Sequence, residues 1–168
     1  MAEAAQQSSV ITLGLSEIQV GAAAPGGKMP TEMTKIGKTY KDTCSISQDA
    51  SDVTEHYEEG KSAPEVRKKN RKMPVVKFSL MNADLEMLKN YIGGDVQTNT
   101  WQYDGDKAVD NKAIRVITEQ GLQFDIPNGD IEAVINGELS ASGIVLVEVT
   151  VTPMAGTAGG AIQATVKK

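Results

Sequence analysis

Apolar residues in this chain recur mostly at every second position, the spacing of strands, and in one place at the spacing of a helix. From Val10 to Val20, VITLGLSEIQV sets Ile11, Leu13 and Leu15 on one face, whereas Ile18 and Val20 require a shift of one residue. A bulge at Gly14 or Ser16 would supply it. Gly21 to Pro30, rich in Gly, Ala and Pro, reads as a loop. In KIGKTYKDTCSISQD, Tyr40, Asp42, Cys44 and Ile46 alternate with Lys41, Thr43, Ser45 and Ser47, which predicts a strand with one wet face. Met73 to Met81 puts Val76, Phe78 and Leu80 on one face, with Pro74, which lacks an amide donor, at the strand's start. Helical spacing follows over about residues 82–92: Asn82 reads as the cap, Asp84 sits in the first turn, Leu85, Leu88 and Ile92 form a stripe, and Gly93-Gly94 ends it.

From Val96 onward short apolar runs alternate with turn residues in VQTNTWQY, DGDKAVDN, KAIRVITE, QGLQFDIPNGDIEAVING and GIVLVEVTVTPM, each a strand or strand pair. Leu122, Phe124 and Ile126 share a face, Pro127 ends that strand, and Asn128-Gly129 supplies a tight turn. The alternation of Val145, Val147, Val149 and Val151 is the strongest β signal, and a last short strand fits Ala161 to Val166. The pattern predicts a mainly β fold, an antiparallel β-sandwich or barrel with one flanking helix. At 168 residues one domain is expected, with a flexible arm over 1–9 and a glycine-rich segment over 155–168.

One stretch escapes this pattern. Thr54 to Lys72, TEHYEEGKSAPEVRKKNRK, runs from the acids Glu55, Glu58 and Glu59 to the bases Arg67, Lys68, Lys69, Arg71 and Lys72, with Gly60 and Pro64 at the join. Burying it would carry a heavy desolvation cost, so about residues 52–72 are expected to project as a long charged loop. Its bases suit acids on another copy of the chain, and unlike charges can set register between subunits. Alternatively, the two halves pair with each other as a hairpin, an exposed arrangement contributing little stability. A net charge of −5 argues against general affinity for nucleic acid, and the basic run has no interleaved aromatics.

Candidate chemistry is sparse. His56 is the only histidine and Cys44 the only cysteine, so neither a zinc site built on those ligands nor an intramolecular disulfide is available to one chain. No nucleophile elbow accompanies His56. Asp104-Gly105-Asp106 with Asp110 starts like a calcium loop, but Val109 stands where glycine is needed and Arg115 where the bidentate glutamate belongs; a hairpin turn is the better reading. No P-loop or GxGxxG is present, and no cofactor or catalytic residue is expected. A carbohydrate-binding module would have to build its platform around Trp101, the sole tryptophan, with few other aromatics. No segment approaches a membrane span, and MAEAAQQSSVITLGL lacks the basic start of a secretory signal, so production in the cytoplasm is expected.

The order of these features, GKTYKDTCSISQDASDVTEHYEEGKSAPEVRKKNRKMPVVKFSLM, then a short capped helix, then GLQFDIPNGDIEAVINGELS and GIVLVEVTVTPM, resembles the tail tube (major tail) proteins of tailed bacteriophages over about residues 10–155. Tube subunits of contractile injection systems are related to these. The resemblance implies a non-enzymatic virion subunit, assembled in the host cytoplasm, forming rings, usually hexameric, that stack into a hollow conduit for DNA. It implies that the charged loop, with Glu55, His56, Glu58, Glu59, Arg67, Lys68, Lys69, Arg71 and Lys72, reaches a neighbouring subunit in the same ring or the next. Implied partners are further copies of the chain and the tape-measure, tail terminator and baseplate or tip proteins, with double-stranded DNA in transient passage. Asp42, Asp125 and Glu148 are the implied lumen-facing acids, and net negative charge would let DNA slide without sticking.

Overall fold

The computed structural model describes residues 9–105 and 109–167; the expectation of a flexible arm falls almost wholly on residues 1–8, which lie outside them, as does Asp106. Strands dominate: β1 (Leu13–Ala22), β2 (Thr34–Lys35), β3 (Ser45–Ser47), β4 (Asp52–His56), β5 (Val66–Asn70), β6 (Val75–Leu80), β7 (Asp95–Gln97), β8 (Thr100–Gln102), β9 (Lys112–Gln120), β10 (Leu122–Gly137), β11 (Val145–Pro153) and β12 (Gln163–Val166). The one helix among the described residues, α1, spans Leu85–Tyr91. Eight strands form one sheet in the order β2-β1-β9-β10-β11-β6-β3, with β12 on β10; every pairing is antiparallel. β4-β5 and β7-β8 are separate two-stranded units.

The 16-residue β10 organises the sheet and corrects the turn expected at Asn128-Gly129. The strand runs straight through Pro127. On one side it pairs with β9, and on the other first with β12 and then with β11. Its register against β9 slips between Ile126 and Gly129, so one extra residue is accommodated there. That bulge reverses the parity of the inward face. Apolar positions are even before it (Phe124, Ile126) and odd after it (Ile131, Ala133), yet all four belong to the same core. Proline is tolerated because a bulge demands no ladder bond from it, and its carbonyl accepts a hydrogen bond from the Ala24 amide at 2.8 Å. The same device works in β1, where the register shift falls between Leu15 and Glu17, bringing Leu15, Ile18 and Val20 to one core.

The expected faces of β6 and β11 are observed: Val76, Phe78 and Leu80 and then Val147, Val149 and Val151 are all nearly inaccessible. The strand predicted around Tyr40 to Ser47 is shorter than expected. Asp42 lies in a turn with φ of 60°, leaving β3 and an isolated bridge from Thr39 to Leu80. The Tyr40 carbonyl and Ser79 amide share the Thr43 hydroxyl, at 2.7 and 3.1 Å, which fixes this break.

The helix starts later than predicted. Asp84, not Asn82, is the cap, its Oδ1 accepting from the Met87 amide at 2.9 Å. Asn82 instead accepts from the Lys38 amide at 2.8 Å, tying the helix approach to the segment before β3. The most buried helical side chains are Met87 and Tyr91, four residues apart, with Leu88 and Ile92 partly covered beside them. Gly93 and Gly94, with φ of 108° and 85°, end the helix as predicted.

The sheet is not a closed barrel. Residues 34–40 bridge its two ends at one level: Ile36 donates to the Ile18 carbonyl of β1 at 3.0 Å, and Tyr40 donates to the Ser79 carbonyl of β6 at 2.8 Å. Beyond that level, Leu13–Glu17 of β1 and Ser45–Ser47 of β3 each pair on one side only. The chain therefore never completes the circuit of hydrogen bonds that closure requires.

Phe78 lies 2 % exposed in the middle of this core. Phe78→Ala is expected to destabilise the fold by about 3–5 kcal/mol; equilibrium denaturant unfolding measures the loss, and a change under 1 kcal/mol would contradict this account of the core.

Candidate functional site: the charged hairpin and the open end of the sheet

The charged stretch does not form the expected loop. It folds on itself as the β4-β5 hairpin, paired from Asp52↔Asn70 to His56↔Val66. The sequence carries part of the reason: Glu55 stands directly opposite Arg67, the one facing pair in which unlike charges meet. Arg67 Nε donates to Glu55 Oε1 at 2.6 Å across the ladder, and Lys72 pairs with Asp52 at 3.0 Å at the base. Lys61 bridges Glu58 and Glu65 in the connecting segment. Glu55 also accepts a hydrogen bond from the Tyr57 hydroxyl. That hydrogen bond, followed by the one from Arg67, holds the Glu55 carboxyl below the usual carboxylate range. His56 ends β4, its carbonyl accepting from the Glu65 amide at 2.8 Å.

Neither strand joins the main sheet, and all of β5 is exposed. The hairpin is joined to the body at its base, where Gln48 Nε2 donates to the Lys72 carbonyl at 2.7 Å. Of the charged residues picked out by the sequence, Glu55, Glu58, Arg67 and Lys72 are engaged within the hairpin. Among the described residues Glu59, Lys68, Lys69 and Arg71 have no ion-pair partner. Lys68 and Lys69 face Thr54 and Val53, which offer no charge.

The three candidate lumen acids part company. Asp125 is 7 % exposed and receives Arg115 at 2.8 Å and 3.3 Å, so in this chain it is a buried, paired acid rather than a solvent-facing one. Strand alternation alone could not tell this buried pair from a solvated face, although Arg115 stands directly opposite in the register. Glu148 is half-buried on β11 and accepts from Asn136 Nδ2 at 2.7 Å. Asp42 is exposed in its turn.

A second feature went unread in the sequence. Where β1 and β3 fail to meet, a cavity of about 830 Å³ opens, with Val76, Val116 and Phe124 on its floor and Leu13, Tyr40 and Ile46 at its mouth. Cys44 also lines it, and burial pushes its thiol up from the ordinary range. The alternation pattern predicts which residues face inward, but the gap depends on which strands fail to pair, a property of topology.

Trp101 is tied into the fold by a hydrogen bond from Nε1 to the Gly93 carbonyl at 2.8 Å and stacks on Tyr103, with centroids 5.4 Å apart. Among the described residues no group of three or more His, Cys, Asp or Glu side chains could hold a metal ion, and no helix is long and apolar enough to cross a membrane. No protein-family model matches this chain, and no curated protein matches it significantly.

Because the Glu55 carboxyl titrates lower in the folded hairpin than in the unfolded chain, its contribution is complete above the ordinary carboxylate range and is lost as pH falls through the lowered value. Acidification is expected to move the resonances around Glu55, Tyr57 and Arg67 in NMR spectra before the core signals change, and Glu55→Gln should produce similar local shifts at neutral pH, since one exposed pair contributes too little to unfold the hairpin. Hairpin shifts indifferent to both would contradict the pairing. Asp125→Ala, which leaves Arg115 without its carboxylate, is expected to cost about 1.5–3 kcal/mol in denaturant unfolding; no loss would mean that the pair contributes nothing to folding.

Proposed function

We propose that this chain is a self-assembling structural subunit of a hollow tube, of the kind that tailed phages stack from rings, usually hexameric, to deliver DNA, and that it performs no chemistry. The observation that carries this reading is the β4-β5 hairpin. It stands apart from the main sheet with all of β5 and all of β4 but Glu55 exposed, and leaves Lys68, Lys69 and Arg71 without ion-pair partners among the described residues. An exposed hairpin that packs nothing of the core gives the fold little, and cations displayed on both of its faces suit acidic surfaces on neighbouring copies. The unpaired edges of β1 and β3 add to the reading, since an edge strand that is neither covered nor blunted invites another chain.

In this assembly the arms of the sheet around β1-β9 and β11-β6-β3 face one another in a sandwich-like arrangement. Asp42 and Glu148 are the acids proposed to face the lumen, where their charge would repel phosphates. Further copies of the chain are the main partners. Tape-measure, terminator and tip proteins would meet the tube's ends, and its site would be the virion.

Negative-stain electron microscopy of the purified chain tests the reading: rings or tubes are expected, and a chain that stays monomeric at high concentration and in its native particle would overturn it. Reversing Lys68, Lys69 and Arg71 to Glu should abolish assembly while leaving the circular dichroism spectrum unchanged, because none of the three is tied into the hairpin's ion pairs. Undiminished assembly would sink the role given to these cations.

A further inference from the structure

The β10-β11 hairpin ends in an apolar tip that its own chain does not cover. Beyond Gly129 no described strand pairs with β10 on its β9 side, so the ribbon runs out past the sheet. Val134 and Ile135 point to opposite faces and are 51 % and 49 % exposed; Leu139, in the connecting turn, is 91 % exposed. Single exposed apolar residues are ordinary, but Leu139, almost fully exposed, stands at the end of the ribbon with an exposed apolar side chain behind it on each face. The ribbon is also one-signed. From Gly129 to Glu148 it carries Asp130, Glu132, Glu138 and Glu148 and no basic residue.

The open end of the sheet has the complementary character. Its cavity has an apolar floor, and its mouth is lined by Leu13, Tyr40 and Ile46, which are 61 %, 38 % and 43 % exposed. One lip is residues 34–41, which present Lys35, Lys38 and Lys41 with no acid among them. On the other wall Glu17 already accepts from Gln19 Nε2 at 2.7 Å, near Glu119, while Asp42 follows the lysines in the turn. A volume of about 830 Å³ has room for several side chains.

Tip and cavity cannot meet within one molecule. Phe124 lies on the cavity floor, and the thirteen strand residues from it to Gly137 extend roughly 40 Å at the usual rise. We propose that the Leu139 tip of one copy seats in the cavity between β1 and β3 of the next, with Glu138 against the lysine lip. This contact rests on the self-assembly reading and gives it a direction. It is head-to-tail, so repetition yields a ring where the rotation closes and a filament where it does not.

The chain's own thiol provides the test. Cys44 lines the cavity and is the only cysteine, so Leu139→Cys places one thiol on each side of the proposed contact. Mild oxidation with diamide at slightly alkaline pH joins two thiols as one disulfide, the two electrons and two protons passing to the diamide. A ladder of dimers, trimers and higher species is expected on a non-reducing gel, absent from wild type and from Leu139→Cys combined with Cys44→Ser. A dimer that persists in the double variant would mean tip meets tip and would overturn the proposal. So would the absence of cross-links while a maleimide still labels the introduced thiol. As a second measurement, Leu139→Asp should weaken association in sedimentation by about tenfold, with an unchanged circular dichroism spectrum; undiminished association would also overturn it. Tubes that form without a ladder would discard this contact and keep the tube reading, whereas a ladder without rings or tubes would do the reverse.

Discussion

The fold depends on a single strand being able to change partners without changing faces. β10 is the one strand that borders three others, and everything inward of it relies on the bulge at Pro127-Asn128 restoring the apolar face. Without that extra residue Ile131 and Ala133 would turn away from the core that Phe124 and Ile126 enter. Gly129 completes the arrangement: a Cβ there would stand 2.6 Å from Val151 Cγ1, so the Val151 side chain keeps its place in the core only because position 129 has none. The glycine-rich segment after β11 then crosses to the Pro25–Gly27 loop, where the Thr157 amide reaches the Pro25 carbonyl at 2.7 Å. The chain returns to β10 as β12.

How far this was legible in the sequence depended on whether a local signal had one meaning or two. In β1 the parity of apolar residues changes between Leu15 and Ile18 with no strong turn former between them, and a bulge was the natural reading. In β10 the same parity change is masked by Pro-Asn-Gly, which is also the signature of a turn, and only the neighbouring strands decide between the two. The helix was read correctly in kind because its glycine stop is unambiguous, yet its cap moved from Asn82 to Asp84 because Asn82 is engaged by the Lys38 amide, a contact between residues far apart in sequence. The charged stretch was evident as a projection from its composition. Its pairing into a hairpin required choosing between partners in cis and in trans, which composition leaves open.

Openness follows from the same economy. Residues 34–40 hold the two ends of the sheet together at one level with a handful of backbone bonds, and past that level the strands diverge around an apolar floor. A small β domain would ordinarily cover such edges with a loop or blunt them with charge. Here lysines stand on one lip while Leu13 and Ile46 remain accessible, a combination that shields the edge only on one side.

The independence of the β4-β5 hairpin has an evolutionary side. Its five β5 residues are all exposed, and no side chain of the core leans on them. Mutations there are thus released from the packing constraint that makes most buried substitutions harmful. Natural variation can rewrite the charges displayed on β5, keeping Arg67 as the one cross-strand anchor, while the packing of the body stays as it is.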